Sequence, residues 1–129
     1  MAKQDNNFMH KEFPKQFSKD DFWSQIKRTV DGKPVSEDDI DMIISQITLN
    51  LELGPNSHLL DIGCGNGALA ARLFPYLNKY TGVDFSTYLL EVANEYFKPD
   101  SNIKYIEDDA VHFVSTYPYT AGIDQLLIY

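Results

Sequence analysis

An apolar run breaks abruptly into three glycines spaced two apart, in Leu59-Leu60-Asp61-Ile62-Gly63-Cys64-Gly65-Asn66-Gly67. A strand that bends sharply into a helix needs residues without a Cβ at the bend, and a small molecule resting on backbone there needs the same. The free N–H groups of the next helix would face that molecule. Gly63, Gly65 and Ala68 also satisfy the G-x-G-x-x-G/A spacing of dinucleotide sites. Spacing alone therefore leaves the ligand class open, and a tight turn with no ligand is the plain alternative. Asp61 discriminates, because a carboxylate two positions before Gly63 repels a pyrophosphate and suits a ligand that carries an ammonium and no phosphate.

Two further acidic positions follow short apolar runs. Asp84 closes Thr81-Gly82-Val83-Asp84-Phe85-Ser86, where a carboxylate can accept from a pair of hydroxyls. Helix capping is the competing role for Asp84, but Ser86 already suits the N-cap. Asp109 and Ala110 end Glu107-Asp108-Asp109-Ala110, with Asp108 an alternative by one register. The bland reading of both aspartates is an acidic first turn favoured by the helix dipole. Cys64 is expected as a small residue on the loop's path rather than a nucleophile. His10, His58 and His112 stand in unrelated contexts with no serine or cysteine to activate, so they read as surface histidines.

These positions need a scaffold. From His58 onward, short apolar runs alternate with amphipathic stretches, the pattern of strand-helix units on a parallel sheet. Strands are expected at His58–Ile62, Lys79–Asp84, Ile103–Glu107 and 123–129. Helices are expected at 67–74, stopped by Pro75, at 87–97 with Leu89, Leu90, Ala93, Tyr96 and Phe97 on one face, and at 111–115. Before the core, Ser18 and Asp21 start a helix carrying Phe22, Trp23, Ile26 and Val30, which Asp31-Gly32 ends. Trp23 and Phe22 are expected to pack into the core. A second helix begins at Ser36 with three acidic residues in its first turn, buries Ile40, Ile43, Ile44, Ile47 and Leu51, and is stopped by Gly54-Pro55. The division is a mobile tail over 1–17, helices over 18–54 and the core over 55–129.

The segment DIGCGNG resembles the first motif of class I S-adenosylmethionine-dependent methyltransferases, an acidic residue followed by G-x-G-x-G, and the likeness runs from about Leu51 to Tyr129. It implies a Rossmann-like three-layer α/β fold with a mostly parallel sheet. The family's strand order is 3-2-1-4-5-7-6, of which this chain would supply 3-2-1-4 before stopping at Tyr129. It implies S-adenosylmethionine as cofactor, held by Asp61 toward the ammonium and by the loop Gly63, Cys64, Gly65 and Gly67. Asp84 would then hold the ribose hydroxyls, Phe85 would lie beside the adenine, and Asp109 with the backbone of Ala110 would meet the adenine amino edge. Asp124, at the start of the fourth strand, matches an acidic position that is often structural. Methyl transfer from a sulfonium needs in-line placement more than acid or base help, so no catalytic residue is assigned. An NAD-binding oxidoreductase and a noncatalytic S-adenosylmethionine-binding module are the alternatives.

Composition narrows the partners. The chain's 129 residues hold 19 acidic against 11 basic side chains, a net charge of -8 that disfavours nucleic acid and anionic membranes and leaves a small-molecule acceptor. The one cysteine and the lack of Cys/His metal spacing imply no disulfide and no metal, and with no signal-peptide core or membrane-spanning run the setting expected is cytoplasmic. A fourth strand at an open edge would seek a partner, so self-association through 123–129 is expected.

Overall fold

The computed structural model describes residues 12–26, 29–30, 33–116 and 125–128. Three apolar runs form the parallel centre of the fold, β3 (His58–Ile62), β4 (Lys79–Asp84) and β5 (Ile103–Glu107). With β6 (Gln125–Ile128) they make a four-stranded sheet ordered β5-β4-β3-β6, parallel at each pairing. In order of occurrence along the core this is 3-2-1-4, the α/β arrangement expected. The expected strand residues 123, 124 and 129, Asp124 among them, lie outside the described residues, as does His10.

Two helices form as their sequences dictate. In α2 (Glu37–Asn50), Ser36 accepts from the Asp39 N–H at 3.2 Å, and Ile40 and Ile44 are buried. In α3 (Thr87–Tyr96), Ser86 accepts from the Leu89 N–H, and Leu89, Leu90, Val92 and Ala93 are buried. Tyr96, expected on that buried face, is 44% exposed. A short α4 (Ala110–Thr116) follows β5 and buries Phe113. Arg72 ties α2 to the core through a forked pair with Glu37 at 2.8 and 3.1 Å.

Three expectations are corrected. The helix expected over 67–74 is absent; turns lead into a 3-10 segment, Ala70–Tyr76, that contains Pro75 instead of ending before it. Pro75 cannot donate to Ala71 and disfavours the α conformation at Phe74, so this short stretch winds more tightly. The helix expected from Ser18 through Val30 is a single turn, α1 (Phe22–Gln25); Thr29–Val30 (β1) instead pairs antiparallel with Lys33–Pro34 (β2). Gly54 does not stop α2. The Leu53 and Glu52 N–H groups close on Thr48 and Leu49 carbonyls, with Glu52 at φ 52°, a Schellman ending two residues earlier.

The presumed tail also has structure in its described part. Phe13–Gln16 forms a 3-10 turn with Pro14 buried, and the Phe17 carbonyl accepts from the Tyr88 hydroxyl. Trp23 packs against the main core with Ile40, Leu59, Leu73 and Tyr80. No helix among the described residues is long and apolar enough to cross a membrane.

Candidate functional site

The glycine turn leaves β3 at its carboxyl end and is fastened to β4. The Gly63 and Cys64 N–H groups both donate to the Val83 carbonyl, at 2.7 and 3.0 Å. Gly63, Gly65 and Gly67 have φ of 83°, 61° and 80°. Glycine is required at the last of these twice over. Its φ is left-handed, and a Cβ there would come within 2.7 Å of the Tyr105 hydroxyl. The open side of Gly65 faces Ile26, whose Cγ2 would lie 3.2 Å from a Cβ. Both clearances thus serve the chain's own packing, beside the sharp turn and the ligand contact that the sequence suggests.

Asp61 lies beneath the turn, 1% exposed. Its Oδ2 accepts from the Tyr80 hydroxyl at 2.5 Å, whereas its Oδ1 is buried and has no hydrogen-bond partner among the described residues. Burial raises its pKa to about 7, against the pull of the Tyr80 hydrogen bond, with Asp84 adding a smaller push upward. Asp61 shares a cavity of about 230 Å³ with Ile26, Gly63, Cys64, Gly65, Leu69 and Ala70. Burial also pushes the Cys64 thiol well above its ordinary value, so it stays protonated and inert.

Asp84, half-buried at the end of β4, closes the turn from the other side. Its Oδ2 accepts from the Gly65 N–H and its Oδ1 from the Ser86 N–H, both at 2.9 Å. An ionised carboxylate offers about four lone-pair sites, so two remain for hydroxyl donors. The next strand end is adjacent, since the Asp108 N–H donates to the Asp84 carbonyl at 3.0 Å. Asp109 is exposed and caps α4, accepting from the His112 N–H at 3.0 Å, with Ala110 the first helical residue. Asp108 instead pairs with His112 Nδ1 at 2.9 Å. Phe85 is half-buried beside Asp84.

The structure therefore brings Asp61, Gly63, Cys64, Gly65, Gly67, Asp84 and Phe85 to one end of the sheet and sets Asp109 and Ala110 beside them at the next strand. His58 is half-buried and paired across the sheet, Nε2 to Thr81 Oγ1 at 3.1 Å. Three residues that shape the turn were not among the expected site residues: Ile26, Gln25 and Asn66. The Asn66 amide donates to the Phe22 carbonyl at 2.9 Å and to Gln25 Oε1 at 3.0 Å. Gly82 is likewise dictated by its surroundings, because a Cβ there would meet Tyr80 and Cys64 at 2.8 and 2.9 Å.

A parallel α/β sheet with a glycine turn after its first core strand and acidic residues at the next two strand ends defines a Rossmann-like ligand-binding protein. Residues 59–122 match the model of a methyltransferase domain. The chain is 29% identical over 103 residues to a probable cobalt-precorrin-6B C(15)-methyltransferase (decarboxylating) of Archaeoglobus fulgidus, covering 74% of this chain and 60% of that protein. Its fold is similar to that of precorrin 8W decarboxylase from Methanobacterium thermoautotrophicum, with a TM-score of 0.56, 20% identity, and 67% of this chain on 47% of that one. It is also similar to Haemonchus contortus phosphoethanolamine N-methyltransferase 1, solved with phosphoethanolamine and S-adenosylhomocysteine: TM-score 0.51, 27% identity, 60% of this chain on 17% of that one. The methyltransferase-domain match and these likenesses agree with the resemblance of the glycine turn to class I S-adenosylmethionine-dependent methyltransferases. It spans 60% of the length of its Archaeoglobus relative.

Proposed function

We propose that this chain is the cofactor-binding part of an S-adenosylmethionine-dependent methyltransferase acting on a small-molecule acceptor. The observation that carries the reading is the pair of carboxylates flanking the glycine turn. Asp61 keeps a buried oxygen unpartnered, and Asp84 keeps acceptor capacity beyond its two backbone bonds. A buried acceptor with no donor is costly alone and favours a cationic donor such as an ammonium. That fits the amino acid end of S-adenosylmethionine and fits a pyrophosphate poorly, which argues against the NAD reading.

In this reading the turn backbone at Gly63, Cys64, Gly65 and Gly67 supports the ligand. Asp84 accepts from the ribose hydroxyls, Phe85 packs beside the adenine, and Asp109 with the Ala110 N–H meets the adenine edge. Bound S-adenosylmethionine supplies the electrophilic methyl carbon. The chain's residues orient it and exclude water, which is the main protein contribution to an in-line transfer. The same reading holds 55–129 as the cofactor core and 18–54 as its cover, with a cytoplasmic setting. The acidic net charge of -8 keeps nucleic acid a poor acceptor. Self-association through the edge strand β6 completes it.

Calorimetric titration with S-adenosylhomocysteine tests the assignment without needing an acceptor. The expected result is binding that Asp84→Ala weakens about tenfold or more, the factor for one charged hydrogen bond. A folded chain that gives neither heat nor a thermal shift overturns it.

A further inference from the structure

The space that Gly65 leaves open is taken by the chain itself. Ile26 Cγ2 lies 3.2 Å from where a Gly65 Cβ would sit, and Ile26 lines the cavity that Asp61 shares. That cavity, about 230 Å³, is smaller than the ~300–1,000 Å³ of small-molecule sites. A ligand that rests on Gly65 and reaches Asp61 competes with Ile26 for that space.

What holds Ile26 there is a buried amide pair. Gln25, 2% exposed, donates through Nε2 to the Ser18 and Lys19 carbonyls at 2.8 and 3.0 Å, and its Oε1 accepts from Asn66 Nδ2 at 3.0 Å. Asn66, fully buried, also donates to the Phe22 carbonyl and accepts from the Ala68 N–H at 3.1 Å. The amide hydrogens and oxygens are thus committed to holding residues 18–25 against residues 66–68. Displacing one partner leaves the others unpaired in a dry site. The same segment is also held by Trp23 packed on the main core and by the Tyr88 hydroxyl donating to the Phe17 carbonyl, and two further attachments lie farther out. Phe22 stacks edge-on against Tyr96 and Phe97, and Lys19 reaches Glu95 at 3.5 Å between side chains each 51% exposed.

We infer that Gln25 and Asn66 are positioning residues that latch residues 12–26 over the glycine turn, and that Ile26 is the gate a small-molecule ligand must displace to enter. The inference rests on the proposed S-adenosylmethionine site. Entry then waits on the fraction of molecules with the latch open, and weakening the latch enlarges that fraction.

Two variants test it on the whole chain. Gln25→Ala breaks the latch, and Ile26→Ala trims the gate while leaving the amide pair intact. The association rate of S-adenosylhomocysteine, measured by stopped flow, is expected to rise roughly threefold or more in each, as a larger open fraction requires. A residue with only a structural role would not speed association, so unchanged or slower association in Ile26→Ala overturns the gate. Hydrogen exchange on ligand-free protein reads the latch separately. Gln25→Ala should speed exchange across 12–26 and at Ala68 about tenfold, the worth of one buried hydrogen bond, with β3, β4 and β5 unchanged. Equal exchange in 12–26 overturns the latch, and if the strands also open in Gln25→Ala, Ile26→Ala alone decides the gate. A parent chain that binds no S-adenosylhomocysteine removes the proposed function and the gate with it, and the exchange comparison still decides the latch.

Discussion

The Tyr80 hydroxyl donates to Asp61 Oδ2 at 2.5 Å, with Tyr80 fully buried and Asp61 1% exposed. Burial raises the Asp61 pKa to about 7 from 3.8. The folded chain therefore keeps a proton that the unfolded chain releases above pH ~4. The sign follows: this contribution to stability is complete below the unfolded value and is lost as pH rises through about 7. Well above that pH the loss is on the order of 4 kcal/mol. Urea midpoints without ligand should fall from about pH 4 to about pH 7 and level off above it. Asp61→Asn, which keeps an acceptor for Tyr80 and cannot ionise, should flatten the curve. A curve equally steep in Asp61→Asn would assign the titration elsewhere.

Asp84 has structural work besides any ligand. Asp84→Ala takes the acceptor from the Gly65 and Ser86 N–H groups together. Each half-buried donor left unpaired costs about 1 kcal/mol or more, so the variant should unfold at lower urea in the absence of ligand. Asp84→Asn keeps one acceptor oxygen and should fall between. If Asp84→Ala matched the parent in stability, the two backbone bonds would be energetically idle. The ligand measurement on this variant is then best made well below its unfolding midpoint.

How much of this was legible depended on whether the cause was local. His58–Ile62, Lys79–Asp84 and Ile103–Glu107 are short runs with apolar centres bounded by turn residues, so strand and sequence boundaries coincide. Asp61, Asp84 and the glycines were visible because turn chemistry is written in consecutive residues. The failures have causes distant in sequence. Phe22, Trp23 and Ile26 are spaced as a helical face, yet Ile26 is drawn onto Gly65 and the helix lasts one turn. Gln25 and Asn66 are polar residues that a sequence assigns to the surface, and each is buried with its hydrogen bonds made to the other and to nearby backbone. Glu52 misled differently: a left-handed ending normally announces itself with glycine.

Tyr105 explains Gly67 and makes it testable. A methyl group at 67 would meet the Tyr105 hydroxyl at 2.7 Å, and that hydroxyl is held by its own bond to the Phe97 carbonyl at 2.6 Å. Gly67→Ala should cost about 2 kcal/mol or more, from the left-handed φ together with the clash. Tyr105→Phe removes the hydroxyl and relieves only the clash. The double variant should thus be less destabilised than the two single effects added, a coupling of about 0.5 kcal/mol or more. Additive effects would show that backbone conformation alone excludes alanine.

Glu52 predicts a gain. It sits at φ 52° just past α2, where its N–H closes on the Leu49 carbonyl at 3.2 Å and the Leu53 N–H on the Thr48 carbonyl at 3.1 Å. A side chain in that conformation is strained by about 1 kcal/mol relative to glycine, and a carboxylate at a helix carboxyl end is also disfavoured by the dipole. Glu52→Gly relieves both and gives back part through a more flexible unfolded chain. The net expectation is a stabilisation of about 0.5–1 kcal/mol in urea unfolding. Glu52→Val, with its branched Cβ in the same left-handed position, should move the midpoint the other way. Were glycine and valine to shift it alike, the strain at Glu52 would not be what limits the end of α2.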